Sequence, residues 1–506
     1  MTSKRILMAG IALSTLTAVL IACGGGDPVD VTSGTVIRNV NVVDTRSGTV
    51  RPAMAVALEG DTIRKVVHDA DVRVASGVTV IDGSDRYLIP GLLDMHVHSL
   101  AAGANASAHW RLHVANGVTG VRQMAGSTGL LSLAQEVNAA AAAGQLTAPE
   151  ILQTPGDIFT GPYTPDQAKA QVLAQKQQGA SFLKVVSGSR DAVLAVLAEG
   201  KAQGLRVAGH IPLAMRFDDA AEAGWGSIEH VGAGLGMGLD CSSDETAVRQ
   251  ALLGGQGAAP VNSPLAILSP MIFRALDAPF YRRVTQTFDA SKCAAIARKQ
   301  AALGTWHVPT LVRLRGMDFS DDALYAQDPH LKYVDKATRA LWLQLAAQFT
   351  ATVPADAAQS FRDYYGTYKA VLKILQEQGV QMMTGSDVGG IWVIPGFGLH
   401  EEFKQLAAAG LSPTTVLQMA TINPARFLGR EARMGTVEEG KRADLVLLRA
   451  NPLQDVSHLG TIASVFLRGR HLDSVALEKM KADVAAAYEA APLLPASTAI
   501  DTSHVH

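Results

Sequence analysis

From residue 35 to 81, apolar and polar residues alternate in short runs, at 35–43, 55–58 and 78–81. Turn signals separate them at Gly60-Asp61 and Asp82-Gly83. This is the period of half-buried strands bounded by turns. Runs of the same kind return at 443–448 and at 462–467, the latter closed by Gly469. The pattern predicts two β-rich pieces, 35–87 and 433–475, forming one small β-sandwich domain from both ends, followed by a helix and tail over 476–506. Between the pieces, eight apolar runs alternate with helical stretches rich in alanine, leucine and glutamine: 88–97, 118–124, 150–154, 181–186, 206–211, 227–231, 306–312 and 380–384. That order predicts an α/β protein with a (β/α)8 TIM barrel over 88–432. No glycine-rich phosphate loop follows the first run, which argues against an open dinucleotide-binding sheet. The connections before the seventh and eighth runs are long. They predict insertions at about 232–300 and 313–379, over the barrel mouth.

The first residues follow another pattern. Lys4 and Arg5 precede an apolar run from Ile6 to Ile21, then Ala22 and Cys23. A basic start, an apolar stretch and a small-residue site predict a secretory signal over 1–22, and the run is short for a membrane-spanning helix. The segment resembles the lipobox of bacterial lipoproteins. That resemblance implies a lipid on Cys23 and an exported protein anchored at the periplasmic or outer membrane face. Residues 23–34, beginning with Gly24-Gly25-Gly26 after the cysteine, are expected to be a flexible tether. Composition then fits one large core: 48% hydrophobic residues exclude intrinsic disorder. With 44 Lys+Arg against 46 Asp+Glu and no basic run, nucleic acid is not an expected partner, and the lipid is the one expected membrane contact. An oligomer is possible, but no sequence feature supports one. Of 3 cysteines, Cys241 and Cys293 remain for structure, both in the first insertion. Export permits a disulfide between them; two buried thiols are the alternative.

The chemistry gathers at the ends of the apolar runs. His96 and His98 flank Val97, and alternate strand residues point the same way, so both imidazoles can reach one ion. Lys184, His210, His230 (after Ile228-Glu229) and Asp387 (in Gly385-Ser386-Asp387) end four other runs, where catalytic groups of such barrels lie. Tyr163, in Gly161-Pro162-Tyr163, and His307 are candidates for binding substrate, although packing is a slightly better reading of His307. His109 and His113, four apart on an expected helix, read as a solvated helix face rather than a metal pair. No Gly-x-Ser-x-Gly elbow is present.

The run from Ile89 through Pro90-Gly91-Leu92-Leu93-Asp94-Met95 to His98 resembles the first-strand signature of the amidohydrolase superfamily. Thr421-Ile422-Asn423-Pro424-Ala425, and Glu439 to Val446 with Asn451-Pro452-Leu453, are similar to its later segments, so the likeness covers nearly all of the chain after the signal. Phe182-Leu183-Lys184-Val185 is most similar to the imidazolonepropionase-like and Xaa-Pro and aryl dipeptidase-like branch. The resemblance implies two divalent metal ions bridged by a CO2-derived carbamate on Lys184. His96, His98 and Asp387 would hold one ion, and His210 and His230 the other. Such ligands suit zinc best, with Mn, Fe or Co as alternatives. A single ion beside an unmodified Lys184 stays open. The implied activity is hydrolysis of a C–N bond in a small amide, dipeptide-like or cyclic amide substrate, with Asp387 as general base and then acid to a water activated between the ions. A lactonase or phosphotriesterase on the same site, or an inactive envelope binding protein, are the alternatives. One departure stands out: Pro212 occupies the place where that branch more often continues His-Ala-His, which bears on the pocket rather than on the metal.

Overall fold

The computed structural model describes residues 28–258 and 269–492. The expected signal, Cys23 and most of the expected tether lie outside the described residues, as does the end of the C-terminal tail. Within them, Val29–Val31 is a strand paired in parallel with Val72–Val74, so this part of the segment expected to be a tether belongs to a sheet.

The β-rich domain is built from both ends of the chain. Its main sheet runs Arg470–Asp473, Ile462–Leu467, Leu445–Leu448, Tyr87–Pro90, Thr35–Asp44, Thr49–Glu59, Thr62–His68, with Thr79–Asp82 also paired to Thr35–Asp44. The two ends meet where Leu445–Leu448 pairs antiparallel with Tyr87–Pro90. Alternation along the strands covers both faces. Ile37, Val40 and Val42 pack with Leu445 and Phe466, whereas Val36, Ala55 and Ala57 pack with Val31 and Val72.

The expected first barrel strand, 88–97, is two strands. Tyr87–Pro90 belongs to the β-rich domain and Leu92–Val97 to the core. Pro90 has no N–H to continue a ladder. At Gly91 a Cβ would lie 2.0 Å from Thr119 Oγ1, so only glycine lets the chain cross between the two bodies there.

The core holds two parallel sheets. One contains Leu92–Val97, Val118–Gln123 and Glu150–Gln153; the other contains Leu183–Val185, Val207–Gly209, Ser227–Glu229 and Trp306–Val308. Hydrogen bonds join them at both edges. Phe159 N donates to Lys184 O (2.9 Å), and Val186 N donates back to Phe159 O (2.9 Å). On the other side residues 381–384, the eighth expected run, bridge the gap: Met383 N donates to His307 O (2.9 Å) and Met95 N to Thr384 O (2.9 Å). Leu93, Met95, Leu152, Val308, Met383 and Phe427 fill the space between the strands. Because the strands run parallel, their C-terminal ends gather on one side, which is where the candidate ligands sit.

The first insertion carries Gly236–Asp240, Glu245–Leu253 and Ala278–Gln286 before the helix Ala290–Leu303. Cys241 and Cys293 form a disulfide that ties its beginning to that helix, which settles the choice left open by the sequence. The second insertion carries Leu311–Asp318, Ala323–Ala326, Lys336–Thr352 and Ala355–Glu377. The C-terminal helix Ser474–Ala490 packs on Ala106–Ala115. Among the described residues no helix is long and apolar enough to cross a membrane.

Candidate metal centre and active site

Four imidazoles form a row at the strand ends. Ring centroids are 5.5 Å apart for His98 and His96, 4.6 Å for His96 and His230, and 5.0 Å for His230 and His210. Asp387 reaches into the row: Oδ1 lies 3.0 Å from His98 Nε2 and 3.3 Å from His96 Nε2, and Oδ2 lies 3.8 Å from His230 Nε2. Lys184 is buried among them, within electrostatic reach of His96, His210, His230, Asp387 and Glu229. All six candidate ligands therefore converge. His96, His230 and Asp387 offer ligand atoms within 4.8 Å of one another. That triad cuts across the expected division into two ligand groups.

The backbone is strained where this happens. Among the described residues ten non-glycines have positive φ, and five of them, His230, Val231, Ala233, Thr310 and Asp387, are at the site or on the loops beside it. Conformations of this kind cost about 1–3 kcal/mol each and persist where the surroundings dictate them. At His230 the φ of 56° departs from strand geometry, so two consecutive residues, Glu229 and His230, can both serve the site.

Behind the row lies a buried polar layer. Glu229 Oε2 is 2.8 Å from His96 Nδ1, and its Oε1 accepts from Arg122 Nη2 (2.7 Å) and Ser227 Oγ (2.7 Å). A carboxylate on Nδ1 holds that proton and turns the bare Nε2 toward an ion. His96 Nε2 is buried and without a hydrogen-bond partner among the described residues. Asp94 accepts from Ser386 N (2.9 Å), Ser386 Oγ (2.5 Å) and His96 N (3.2 Å), tying the eighth segment to the first strand just before Asp387. From the start of the second insertion Arg313 Nε donates to Asp387 Oδ2 (2.5 Å), and at the end of the seventh run Thr310 Oγ1 meets His230 Nδ1 (2.6 Å). Glu402 Oε2 accepts from Val312 N (2.7 Å) and so fixes the start of the helix that carries Arg313.

Electrostatics keep these groups ready for a cation. Burial pushes His96, His210 and His230 well below the usual imidazole range, so they are neutral donors. Burial lowers Lys184 to about 8, opposed by Glu229 and Asp387. For Asp387 burial acts upward, but His96, Arg313 and His230 outweigh it and hold the carboxyl well below its ordinary value.

The remaining candidates lie elsewhere. His307 is fully buried, with Nε2 2.9 Å from Gln300 Oε1, while its neighbour Val308 fills the interior. Strand alternation turns His307 outward to the helices, so it is a packing residue and not a substrate ligand. Tyr163 is half-buried and donates its hydroxyl to Ser187 O (3.1 Å), which ties it to the loop after Leu183–Val185. His109 and His113 do not form a solvated face. His113 is buried and His109 half-buried, and His113 Nε2 meets Ser99 Oγ (3.0 Å), because the C-terminal helix packs on their helix. Glu229, Arg122, Arg313 and Asp94 were not anticipated. Glu229, as the acid beside His230, and Asp94, inside the first-strand signature, carried a signal; Arg122 and Arg313 carried none.

Residues 366–472 match the amidohydrolase family model. Adenine deaminase 3 of Rhizobium meliloti is 21% identical over 473 residues, covering 88% of this chain and 58% of the relative. The chain thus spans under two thirds of that relative's length. Among solved structures, bottromycin amidohydrolase superposes with a TM-score of 0.65 at 20% identity, covering 91% of each chain. A Xaa-Pro dipeptidase with bound methionine superposes at 0.58 and 20% identity, covering 87% of this chain and 100% of that one. Toward its C-terminus the chain thus matches the amidohydrolase family, and as a whole it shares its fold with these two solved structures.

Proposed function

We propose that this protein is a metal-dependent hydrolase of C–N bonds, in which the eight parallel segments act as one (β/α)8 barrel with its active site at the C-terminal mouth. The observation that carries the reading is the convergence of His96, His98, Lys184, His210, His230 and Asp387, with Glu229 holding the far nitrogen of His96. The donor set fits divalent ions: neutral imidazoles, an ionised carboxylate, and a buried His96 Nε2 that makes no hydrogen bond among the described residues and faces Asp387 Oδ1 at 3.3 Å. His96, His98 and Asp387 would hold one ion and His210 and His230 a second, with Lys184 as a carbamate between them. Zinc suits these ligands best. Such ions, when bound, polarise a carbonyl and acidify a water.

The chain's own groups do the rest. Asp387 sits among the imidazoles with one oxygen held by Arg313. Its role is to take the proton from the attacking water and deliver it to the leaving nitrogen. Glu229 and Thr310 fix the rings of His96 and His230. Burial keeps bulk water from the centre, so that its charges interact more strongly than they would in water. The superfamily relatives support C–N hydrolysis. A dipeptide-like or cyclic amide is the substrate class we favour, because the dipeptidase shares the fold along its whole length. The buried Cys241–Cys293 disulfide supports an oxidising compartment, in keeping with a signal over 1–22 and a lipid on Cys23.

The test is a panel of dipeptides, N-acyl amino acids, cyclic amides, lactones and phosphotriesters, assayed with protein loaded with zinc and bicarbonate. The expected result is amide turnover, lost by a factor of about 10²–10⁴ in Asp387→Asn. Turnover of lactones or phosphotriesters alone would overturn the C–N assignment.

A further inference from the structure

Beside His98 lies a cavity of about 110 Å³ that the proposed reaction does not yet use. Its near wall is His98 with Val388 and Gly389, the residues next to Asp387. Its far wall is Asp335, at the start of the helix Lys336–Thr352 in the second insertion. His109, Tyr333, Trp342 and Tyr488 close the sides. We propose that this cavity is a subsite for a protonated amine carried by the substrate, with Asp335 as its counter-ion.

Three observations carry this. First, Asp335 is the one carboxylate in the lining, and no lysine or arginine lines the cavity among the described residues. Second, each carboxylate oxygen accepts one N–H, Oδ1 from Thr338 N (2.9 Å) and Oδ2 from Asn105 Nδ2 (3.2 Å). That anchors the group and leaves lone pairs for a further donor. Third, the aromatic walls favour a cation. Two of the wall nitrogens, His98 Nδ1 and His109 Nδ1, are buried without hydrogen-bond partners among the described residues. The space exceeds the roughly 30 Å³ share of a water in the liquid, which leaves room for an ammonium with a short carbon stem.

The proposal rests on the metal-hydrolase reading, and its test separates the two. Benzylamine binding is measured by calorimetry at neutral pH for wild type, Asp335→Asn and Asp335→Ser. Asparagine and serine both keep the helix cap, so folding is preserved while the charge is lost. Turnover of Leu-Phe is compared with that of N-acetyl-Leu-Phe in the zinc-loaded proteins. The expected result is binding weakened about tenfold or more in both variants. A wild-type preference for the free amine, expressed in KM, should disappear with it. Equal binding in all three proteins, absence of binding in wild type, or equal handling of the two amides would overturn the subsite. Asp335-dependent binding in a protein that hydrolyses no amide would uphold the subsite and overturn the hydrolase reading.

Discussion

Replacing Glu229 with glutamine tests the layer behind the metal centre. The carboxylate is fully buried and meets His96 Nδ1 at 2.8 Å, Arg122 Nη2 at 2.7 Å and Ser227 Oγ at 2.7 Å. Glutamine keeps the shape but removes the charge. Arg122, also fully buried, is left without its counter-ion, and breaking such a pair costs about 3–5 kcal/mol. Contacts of the guanidinium with Phe182 (5.6 Å) and Phe427 (5.5 Å) place the loss at the lower end, about 3 kcal/mol. The second effect concerns tautomers. If the amide oxygen stays on Arg122 and Ser227, the amide N–H faces His96 Nδ1 and drives the imidazole proton onto Nε2, the ligand atom. Zinc affinity should fall about 10–100-fold. Urea unfolding of the metal-free protein reads the first effect, and chelator competition reads the second. Arg122→Met with Glu229→Gln separates them: removing both charges should recover much of the stability but none of the metal affinity. Wild-type affinity in Glu229→Gln, or affinity that returns together with stability in the double variant, would refute the reasoning.

Three further outcomes are expected. Lys184, brought to about 8 by burial, is about half neutral at pH 8; two-metal occupancy should therefore rise with bicarbonate and between pH 7 and 8.5, and Lys184→Ala should hold at most one ion. Glu402 is raised to about 8, chiefly by burial, so the folded state binds its proton more tightly than the unfolded chain does. Its contribution is present below its ordinary value and is lost as pH rises through about 8. Glu402→Gln should therefore flatten the fall in urea stability between pH 6 and 9, by about 3 kcal/mol at most, and an unchanged slope contradicts this. Removing the Cys241–Cys293 bridge by a double serine substitution opens a loop of 52 residues; the chain-entropy estimate is about 4 kcal/mol, read by denaturant unfolding with and without reductant.

Much of the site was legible because it is written in strand ends. His96 and His98 share one strand, and Lys184, His210, His230 and Asp387 each close an apolar run, so position along the chain was enough to find them. The polar layer was not legible, because its partners are far apart: Glu229 and His96 are separated by 133 residues, Arg313 and Asp387 by 74. Only folding brings them together, and a buried arginine reads in sequence like any surface one. His109 and His113 misled because helix spacing shows no burial; the C-terminal helix that covers them comes hundreds of residues later. The break at Gly91 was hidden inside a continuous apolar run, since Tyr87–Pro90 and Leu92–Val97 are both buried strands with the same residue types. Alternation did hold the answer for His307, because Val308 belongs to the interior.

The central claim is a two-metal hydrolytic centre on six named ligands. Metal content per chain, measured by plasma mass spectrometry on protein loaded with zinc and bicarbonate and assayed in parallel against the amide panel, tests it most directly. The account predicts two zinc ions per wild-type chain with amide turnover, and one or none in Lys184→Ala. A wild-type chain that binds no divalent ion, or that holds two and hydrolyses no amide, would contradict it.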